Sequence, residues 1–141
     1  MKKYLIDTNI ISELRKPADR RNPGVTQWFS NADPDTLYLS VLVVGEIRRG
    51  IESKRANDPS QAIALEAWLD RIIQGYSDRV LPIDFETVQL WGRAQSIRPF
   101  PVIDGLLAAT AQAHGMTLVT RNVGDLDGWP AVDLLVNPFS E

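Results

Sequence analysis

The sequence predicts an α/β protein in which helices cover both faces of a central parallel sheet. Short apolar runs with strand preference alternate along the chain with segments whose apolar residues recur at helical spacing. The strand-like runs end in small polar or acidic residues, which favour the start of a helix. Because strands that alternate with helices pair in parallel, we expect ligand sites at the carboxyl ends of these strands.

The composition is that of an ordinary globular protein. Of the 141 residues, 44% are hydrophobic and 23% are charged, and we expect a single domain over residues 1–141. No apolar run approaches the roughly 20 residues of a membrane span. The first apolar stretch follows Lys2 and Lys3 and is broken at Asp7, which argues against a signal peptide. These features favour a cytoplasmic protein.

Charge and cysteine content exclude some classes of site. The chain has no cysteine, so neither a disulfide framework nor a thiolate zinc site can form. The formal net charge is −3, whereas constitutive nucleic-acid binders are usually basic. Many of the basic residues occur as neighbouring pairs, which are usually solvated helix faces.

The first strand covers residues 4–6 and is followed by Asp7, at the carboxyl edge of the predicted sheet. Ile10, Ile11 and Leu14 then give the first helix an apolar stripe. An aspartate at such a point is commonly a helix cap, and taken alone that is the favoured interpretation of Asp7. Further carboxylates at comparable positions would instead indicate a site.

The second strand, residues 37–40, leads into a helix that carries Glu46. On helical spacing Glu46 shares a face with Val43, Ile47 and Gly50. A helix usually keeps a glutamate in water rather than in an apolar stripe. Glu46 is therefore either structural or part of a functional site. A structural Glu46 would pair with a nearby arginine or lie at the edge of the stripe.

The middle of the chain is predicted to be structural. A long helix to about Gly75 precedes a third strand over residues 79–83, and Pro82 marks that strand as an edge or a strand end. Asp84 is predicted to cap the following helix. The core residues of that helix are expected to be Val88, Trp91 and Ile97.

Further acidic positions lie in the last third of the chain. Asp104 is in the first turn of a helix over residues 102–114, whose small residues favour close packing. A fourth strand over residues 116–119 runs into polar residues and then into Asp125 and Asp127. This repeats the arrangement that follows the first strand.

The remaining C-terminal features are predicted to be structural. His114, the only histidine, lies in the last turn of its helix, where it suits the helix dipole. A surface or capping role is favoured for it over that of a general base. A last short strand is predicted over residues 134–136.

Four carboxylates stand at matching places, at or near the ends of predicted strands. They are Asp7, Glu46, Asp104 and Asp125. If they converge, two charges about 4 Å apart repel by on the order of 4 kcal/mol at an effective dielectric constant of about 20. A divalent cation or a bound proton would relieve that repulsion. The available ligands are oxygens, which suit Mg²⁺ or Mn²⁺, and such a site suits hydrolysis of phosphodiesters.

Three stretches resemble the motifs of PIN-domain ribonucleases of the VapC toxin type, most of all the Fit-related branch. The first motif is matched by YLIDTNIISEL and the second by LSVLVVGEIRRGI. The third and fourth, run together, are matched by PVIDGLLAATAQAHGMTLVTRNVGDL, which is the most specific stretch. The resemblance extends over essentially the whole chain. It implies a PIN-like three-layer sandwich with a central parallel sheet flanked by helices.

The resemblance also assigns roles to particular residues. In this family an acidic quartet binds Mg²⁺ or Mn²⁺ and cleaves RNA. The catalytic and metal-binding quartet falls on Asp7, Glu46, Asp104 and Asp125. The residues implied to support it are Asn9, which is expected to position Asp7, and Thr120 and Asn122, which match a TRN motif.

The sequence departs from the family pattern at three positions. Val43 stands where many relatives have threonine, and Leu126 replaces a more usual aromatic residue. Asp127 is close enough in sequence to compete with Asp125. Either of these two aspartates can therefore be the fourth acid.

The resemblance implies partners as well as an RNA substrate. They are a homodimer partner and a cognate VapB-type antitoxin, in a higher-order complex, with no membrane association. Such antitoxins wrap the toxin and often place a basic side chain near the acids, where a guanidinium can pair bidentately with carboxylates. Four aromatic residues could anchor these contacts, although a core position is favoured for most of them: Trp28, Phe29, Trp68 and Trp91.

Other functions fit the sequence less well. A haloacid-dehalogenase-like phosphatase also places an aspartate after its first strand, but it needs a second acid where Asn9 stands. A receiver domain needs a lysine near a late strand end, where Arg121 stands. A catalytically inactive PIN-like binding module is a further alternative, and the presence of all four acids argues against it.

Overall fold

Five parallel strands form a central sheet in the part of the chain that a computed structural model describes, residues 1–131 and 134–140. The strand bounds are β1 Tyr4–Ile6, β2 Leu37–Ser40, β3 Val80–Leu81, β4 Thr117–Val119 and β5 Leu135–Val136. They lie in the order β3-β2-β1-β4-β5, and each neighbouring pair is parallel. The predicted parallel sheet is therefore confirmed.

Helices cover both faces of this sheet. Their bounds are α1 Thr8–Leu14, α2 Pro23–Asn31, α3 Val41–Arg55, α4 Pro59–Gly75, α5 Phe85–Ile97 and α6 Val102–Ala113. Right-handed connections from β1 to β2 to β3 place α1 to α4 on one face, and the return from β3 to β4 places α5 and α6 on the other. The contacts of α3 with α4 and of α5 with α6 agree with this three-layer arrangement. Among the described residues, no helix is both long and apolar enough to span a membrane.

Five of the six helices given above begin where a polar side chain accepts hydrogen bonds from the first turn, and α6, which follows Pro101, does not. Asp7 caps α1, Asn22 caps α2 and Ser40 caps α3. Asp58 caps α4 and Asp84 caps α5 in the same way. Each cap satisfies backbone N–H groups that have no partner within the helix. The predicted caps at Ser40 and Asp84 are confirmed.

The buried centre of the molecule lies between the two middle strands and α6. Leu5 and Ile6 of β1 and Leu118 and Val119 of β4 have no solvent exposure. Three alanines of α6 are also fully buried: Ala108, Ala109 and Ala111. These small side chains allow α6 to approach both β1 and β4 closely.

The third strand is shorter than expected but lies where the sequence places it. It covers only Val80 and Leu81, which pair with the end of β2 at the edge of the sheet. Pro82 follows directly, and since proline cannot donate to a neighbouring strand it ends the pairing there. The edge position that Pro82 predicts is confirmed.

Helix α5 buries a different face from the one expected. Ala94 is buried, whereas Val88 and Ile97 are 40% and 68% exposed, so their assignment to the core is wrong. Trp91 is half-buried and lies over Gly105 of α6, where an added Cβ would be 3.4 Å from the indole ring. The close approach of the two helices sets which face of α5 turns inward, and apolar spacing alone does not show that approach.

Replacing Ala108 by leucine should lower the free energy of unfolding by about 1–3 kcal/mol, because the added atoms have no space between α6 and the sheet. Urea denaturation followed by tryptophan fluorescence measures the change. Ala64→Leu on α4 is a matched control, since Ala64 is exposed and its replacement should change the free energy by less than about 0.5 kcal/mol. Equal stability of Ala108→Leu and the unchanged protein would contradict the close packing of α6.

Candidate active site

The candidate site lies where the chain order of the sheet reverses. Strand β1 has β2 on one side and β4 on the other, so the helices that follow these strands leave in opposite directions. Asp7 comes directly after β1, and Thr120 comes directly after β4. The Asp7 N–H donates to the carbonyl of Val119 at 3.0 Å, which holds the two strand ends side by side. The crevice expected at the carboxyl ends of the strands therefore contains Asp7.

Asp7 is both a helix cap and a buried acid. Its Oδ1 accepts a hydrogen bond from the Thr8 N–H at 2.6 Å, and its Oδ2 accepts one from the Thr120 hydroxyl at 2.7 Å. Only 3% of Asp7 is exposed. Burial raises its pKa to about 6, the two hydrogen bonds oppose that rise, and the charges of Asp104 and Glu46 add to it. The cap therefore does not exclude a role in a site.

Asn9 and the loop after β4 form a network around this carboxylate. The Asn9 side-chain amide donates to Oδ2 of Asp7 at 3.4 Å, and its carbonyl oxygen accepts from the Arg121 N–H at 3.2 Å. The Thr120 hydroxyl accepts from the Asn122 N–H at 3.0 Å. Asn9 and Thr120 thus lie where the sequence places them, beside Asp7.

Glu46 is held by a residue that the sequence analysis did not identify. The Thr8 hydroxyl donates to Oε1 of Glu46 at 2.7 Å, across 38 residues of sequence. Val43 and Ile47 on the same side of α3 are buried, and Glu46 is half-buried beside them. Among the described residues Glu46 has no arginine partner, so the arginine-paired alternative is not observed. In the sequence, Thr8 is recognisable only as a residue that favours the start of a helix.

Asp104 approaches the same edge from the opposite face of the sheet. It lies in the first turn of α6 and is half-buried. Burial raises its pKa, a hydrogen bond from the Asn122 side chain opposes the rise, and the charges of Asp125 and Glu46 add to it. Asp125 therefore lies within electrostatic reach of Asp104. The backbone carbonyls of Asp125 and Asp127 both accept from the Arg98 guanidinium, each at 3.1 Å.

The four acids are coupled through their charges without forming a closed cage. The charges of Glu46 and Asp104 act on Asp7, and that of Asp125 acts on Asp104. Within residues 1–131 and 134–140, no three acidic or histidine side chains stand close enough to form a ready-made metal site. The donors fit a cation that keeps several waters, as Mg²⁺ does, because they are oxygens and the buried Asp7 carboxylate forms no ion pair with another described residue.

His114 lies away from these acids. It ends α6, at the opposite end of that helix from Asp104, and its Nε2 is 3.3 Å from a carboxylate oxygen of Asp84. This position agrees with the structural role that the sequence favours for the histidine.

Two cavities lie on the α1 side, and one of them adjoins Glu46. A cavity of about 190 Å³ has Thr8, Glu46, Arg15 and Lys54 in its lining. A second cavity, of about 320 Å³, shares Trp68 with the first. Its other apolar lining residues come from α1, α2, α4 and the C-cap of α4, and are Ile11, Leu14, Phe29, Ile72 and Tyr76. Trp28, Phe29, Trp68 and Trp91 all pack against the core while keeping part of their surface exposed.

Asp7→Asn should raise the free energy of unfolding of the metal-free protein at neutral pH. The folded state binds the Asp7 proton more tightly, because its pKa is raised from 3.8 to about 6. The stability contributed by protonated Asp7 is therefore fully present below the unfolded pKa and is lost as the pH rises through the folded pKa. The advantage of the variant should grow between these values and level off at on the order of 3 kcal/mol.

Urea titrations of both proteins in EDTA, repeated at a series of pH values, measure this difference. A difference that does not change with pH would show that Asp7 titrates like an exposed acid. Loss of folding in the variant would show that Asp7 is mainly a structural cap.

Comparisons with known proteins identify the family of this chain. The PIN domain family profile matches residues 4–124. Toxin FitB of Neisseria gonorrhoeae is 30% identical over 143 residues, covering 97% of this chain and 99% of that protein. VapC ribonuclease Y4jK of Sinorhizobium fredii is 32% identical over 140 residues, covering 96% of each protein. The crystal structure of FitAcB from Neisseria gonorrhoeae superimposes with a TM-score of 0.82 at 28% identity, covering 96% of this chain and 97% of that chain. The chain belongs to the PIN-domain family.

Proposed function

We propose that the protein is a metal-dependent endoribonuclease and the toxin of a VapBC-type toxin–antitoxin module, with residues 1–141 as one PIN domain. The observation that carries this proposal is Asp7, a carboxylate whose pKa is raised by burial and by the charges of Glu46 and Asp104 at one sheet edge. An uncompensated anionic edge of this kind is suited to a cation and a phosphodiester. The ribonuclease and toxin names of the relatives support the same function.

Mg²⁺ or Mn²⁺ is the proposed cofactor, held by Asp7, Glu46 and Asp104 with water in the remaining positions. When bound, it would stabilise charge on the phosphate and lower the pKa of an attacking water. Asp125 is the proposed fourth acid, since its charge acts on Asp104. Asp127 is disfavoured, because its charge is not among those that raise the pKa of Asp104. Arg98 does not distinguish the two aspartates, since it donates to the backbone carbonyls of both.

The supporting residues fix the direction of the acids. The Thr120 hydroxyl and the Asn9 amide both donate to Oδ2 of Asp7, which limits rotation of that carboxylate. The Asn122 side chain donates a hydrogen bond to Asp104, and the Thr8 hydroxyl donates one to Glu46. Each donor also lowers the cost of keeping its carboxylate ionised away from bulk water. We therefore propose Asn9, Thr120, Asn122 and Thr8 as positioning residues.

The proposed partner is a VapB-type antitoxin that binds the α1 side of the molecule. The solved relative FitAcB supports an antitoxin partner for this chain. The apolar cavity between α1, α2 and α4 leads by way of Trp68 to the cavity beside Glu46. An apolar antitoxin segment can fill the cavity between α1, α2 and α4 and place a basic side chain near Glu46, where its charge offsets that of the acids. A homodimer in a higher-order complex with the antitoxin is part of the same proposal.

A catalytically inactive PIN-like binding module is the second candidate. It has the same fold and the same partner surface, but its acids would serve stability or binding only. RNA cleavage by the purified chain separates the two candidates. Loss of that cleavage in Asp104→Asn, with a melting temperature no lower than that of the unchanged protein, would exclude a contaminating nuclease.

The purified chain, freed of any antitoxin, should cleave RNA only when Mg²⁺ or Mn²⁺ is added, because the proposed ligands are all oxygens. Gel analysis of a structured RNA incubated with and without EDTA measures the dependence. Asp7→Asn should be inactive under both conditions. Cleavage that continues undiminished in EDTA would remove the metal mechanism.

Thr8→Val should lower kcat for RNA cleavage about tenfold to a hundredfold, because it removes a hydrogen bond to an ionised carboxylate. Initial rates over a range of RNA concentrations measure kcat separately from KM. Thr8→Ser is the matched control, since it keeps the hydroxyl that donates to Glu46. Equal loss of kcat in the serine and valine variants would show that the Thr8 hydroxyl is not what positions Glu46.

A further inference from the structure

Residues 137–140, here called the 137–140 segment, return to the beginning of α2. Oδ1 of Asn22 accepts from the N–H groups of Gly24 and Val25, as a helix cap does, and also from the Ser140 N–H at 3.0 Å. The Asn22 side-chain amide donates to the Ser140 carbonyl at 2.9 Å. One side chain therefore caps the helix and holds the segment.

The close approach of the segment depends on a glycine. A Cβ added at Gly24 would lie 2.3 Å from the Pro138 carbonyl oxygen and 2.6 Å from the Ser140 nitrogen. Both of these are backbone atoms, so the segment would have to move away. Gly24 instead lets the backbone of residues 137–140 lie directly on α2, where the Gly24 N–H also donates to the Ser140 hydroxyl at 3.1 Å.

The segment carries an aromatic ring that holds a cation. The Phe139 ring centroid is 4.7 Å from the guanidinium carbon of Arg121, which is within cation–π range. A hydrogen bond with Lys16 is the main cause of the lowered pKa of Glu13, and the charge of Arg121 contributes to the lowering. The guanidinium therefore lies within electrostatic reach of Glu13 as well. Arg121 itself remains exposed.

The backbone of Arg121 is hydrogen-bonded at the acidic edge of the sheet. It follows Thr120, whose hydroxyl donates to Asp7, and its own N–H donates to Asn9. The backbone of Arg121 is thus tied to the network around Asp7, while its side chain is oriented by Phe139. A solvent-accessible guanidinium therefore extends from a backbone that is hydrogen-bonded at the acidic edge.

We propose that Arg121 binds a phosphate of the RNA backbone next to the scissile one, and that the 137–140 segment positions its guanidinium for this purpose. The inference rests on the proposed ribonuclease function. An RNA strand approaching several carboxylates needs positive charge nearby, and a guanidinium can bind phosphate oxygens with two parallel hydrogen bonds. Holding it against Phe139 beforehand reduces the side-chain entropy that binding would remove.

The test measures RNA binding in EDTA, where cleavage does not interfere. Fluorescence anisotropy with a labelled single-stranded RNA oligonucleotide gives Kd over a range of salt concentrations. Arg121→Gln should raise Kd about fivefold to tenfold at low salt and reduce the slope of log Kd against log salt by about 0.7. Gly24→Ala, which displaces the segment, and Phe139→Leu, which removes the ring face, should each raise Kd by a smaller factor.

The double variants separate positioning from general damage. If the segment acts through Arg121, Gly24→Ala and Phe139→Leu should add nothing to the effect of Arg121→Gln. Gly92→Ala on α5 is the matched control, because nothing lies within 4 Å of a Cβ added there, and its Kd should equal that of the unchanged protein. Thermal melting of every variant confirms folding, and Phe139→Leu carries the test if Gly24→Ala does not fold.

Unchanged RNA binding by Arg121→Gln would overturn the inference, and so would an effect of Phe139→Leu that persists in full when Arg121 is already replaced. RNA cleavage by the unchanged protein in added Mg²⁺ tells the two failures apart. If the protein cleaves RNA and Arg121→Gln binds it normally, only the inference fails. If the unchanged protein neither binds nor cleaves RNA, the proposed function fails and the inference fails with it.

Discussion

The hydrogen bond from the Thr120 hydroxyl to the Asp7 carboxylate fixes the centre of the molecule. It joins the ends of β1 and β4, the two strands at which the chain order of the sheet reverses. A carboxylate with 3% exposure would destabilise the fold by several kcal/mol if it had no donors, and Thr120 and the Thr8 N–H supply them. The positions of Asn9 and of the loop after β4 follow from that pairing.

The acids around Asp7 show a conflict between stability and chemistry. Burial raises the pKa of Asp7 and of Asp104, and neighbouring carboxylates raise both further. A protein selected for stability alone would separate such charges or pair them, as α3 and α4 do with Arg48 and Glu66 on their shared surface. Local violations of this kind concentrate where a ligand or a substrate supplies the missing partner.

Much of the site follows from the sequence because strand ends are visible in it. Asp7 ends an apolar run, and Asp104 lies in the first turn of a helix, so their places at the sheet edge could be inferred. Thr8 could not be inferred, because its partner Glu46 lies 38 residues away and its hydroxyl role depends on how α3 crosses α1. For the same reason apolar spacing misplaced Val88, since the buried face of α5 is set by its contact with α6.

The strand order has a consequence for the chain during its synthesis. Asp7 and Glu46 emerge early, but Thr120 and Asp125 follow the long return from the edge strand β3 to the middle of the sheet. Strand β4 must insert beside β1 before these groups meet, and such non-local pairing is a slow event in folding. A ribosome-bound chain that stops before β4 therefore carries no complete acidic centre, and Asp7 and Glu46 remain without Thr120 and Asp125 until the chain beyond β4 has been synthesised.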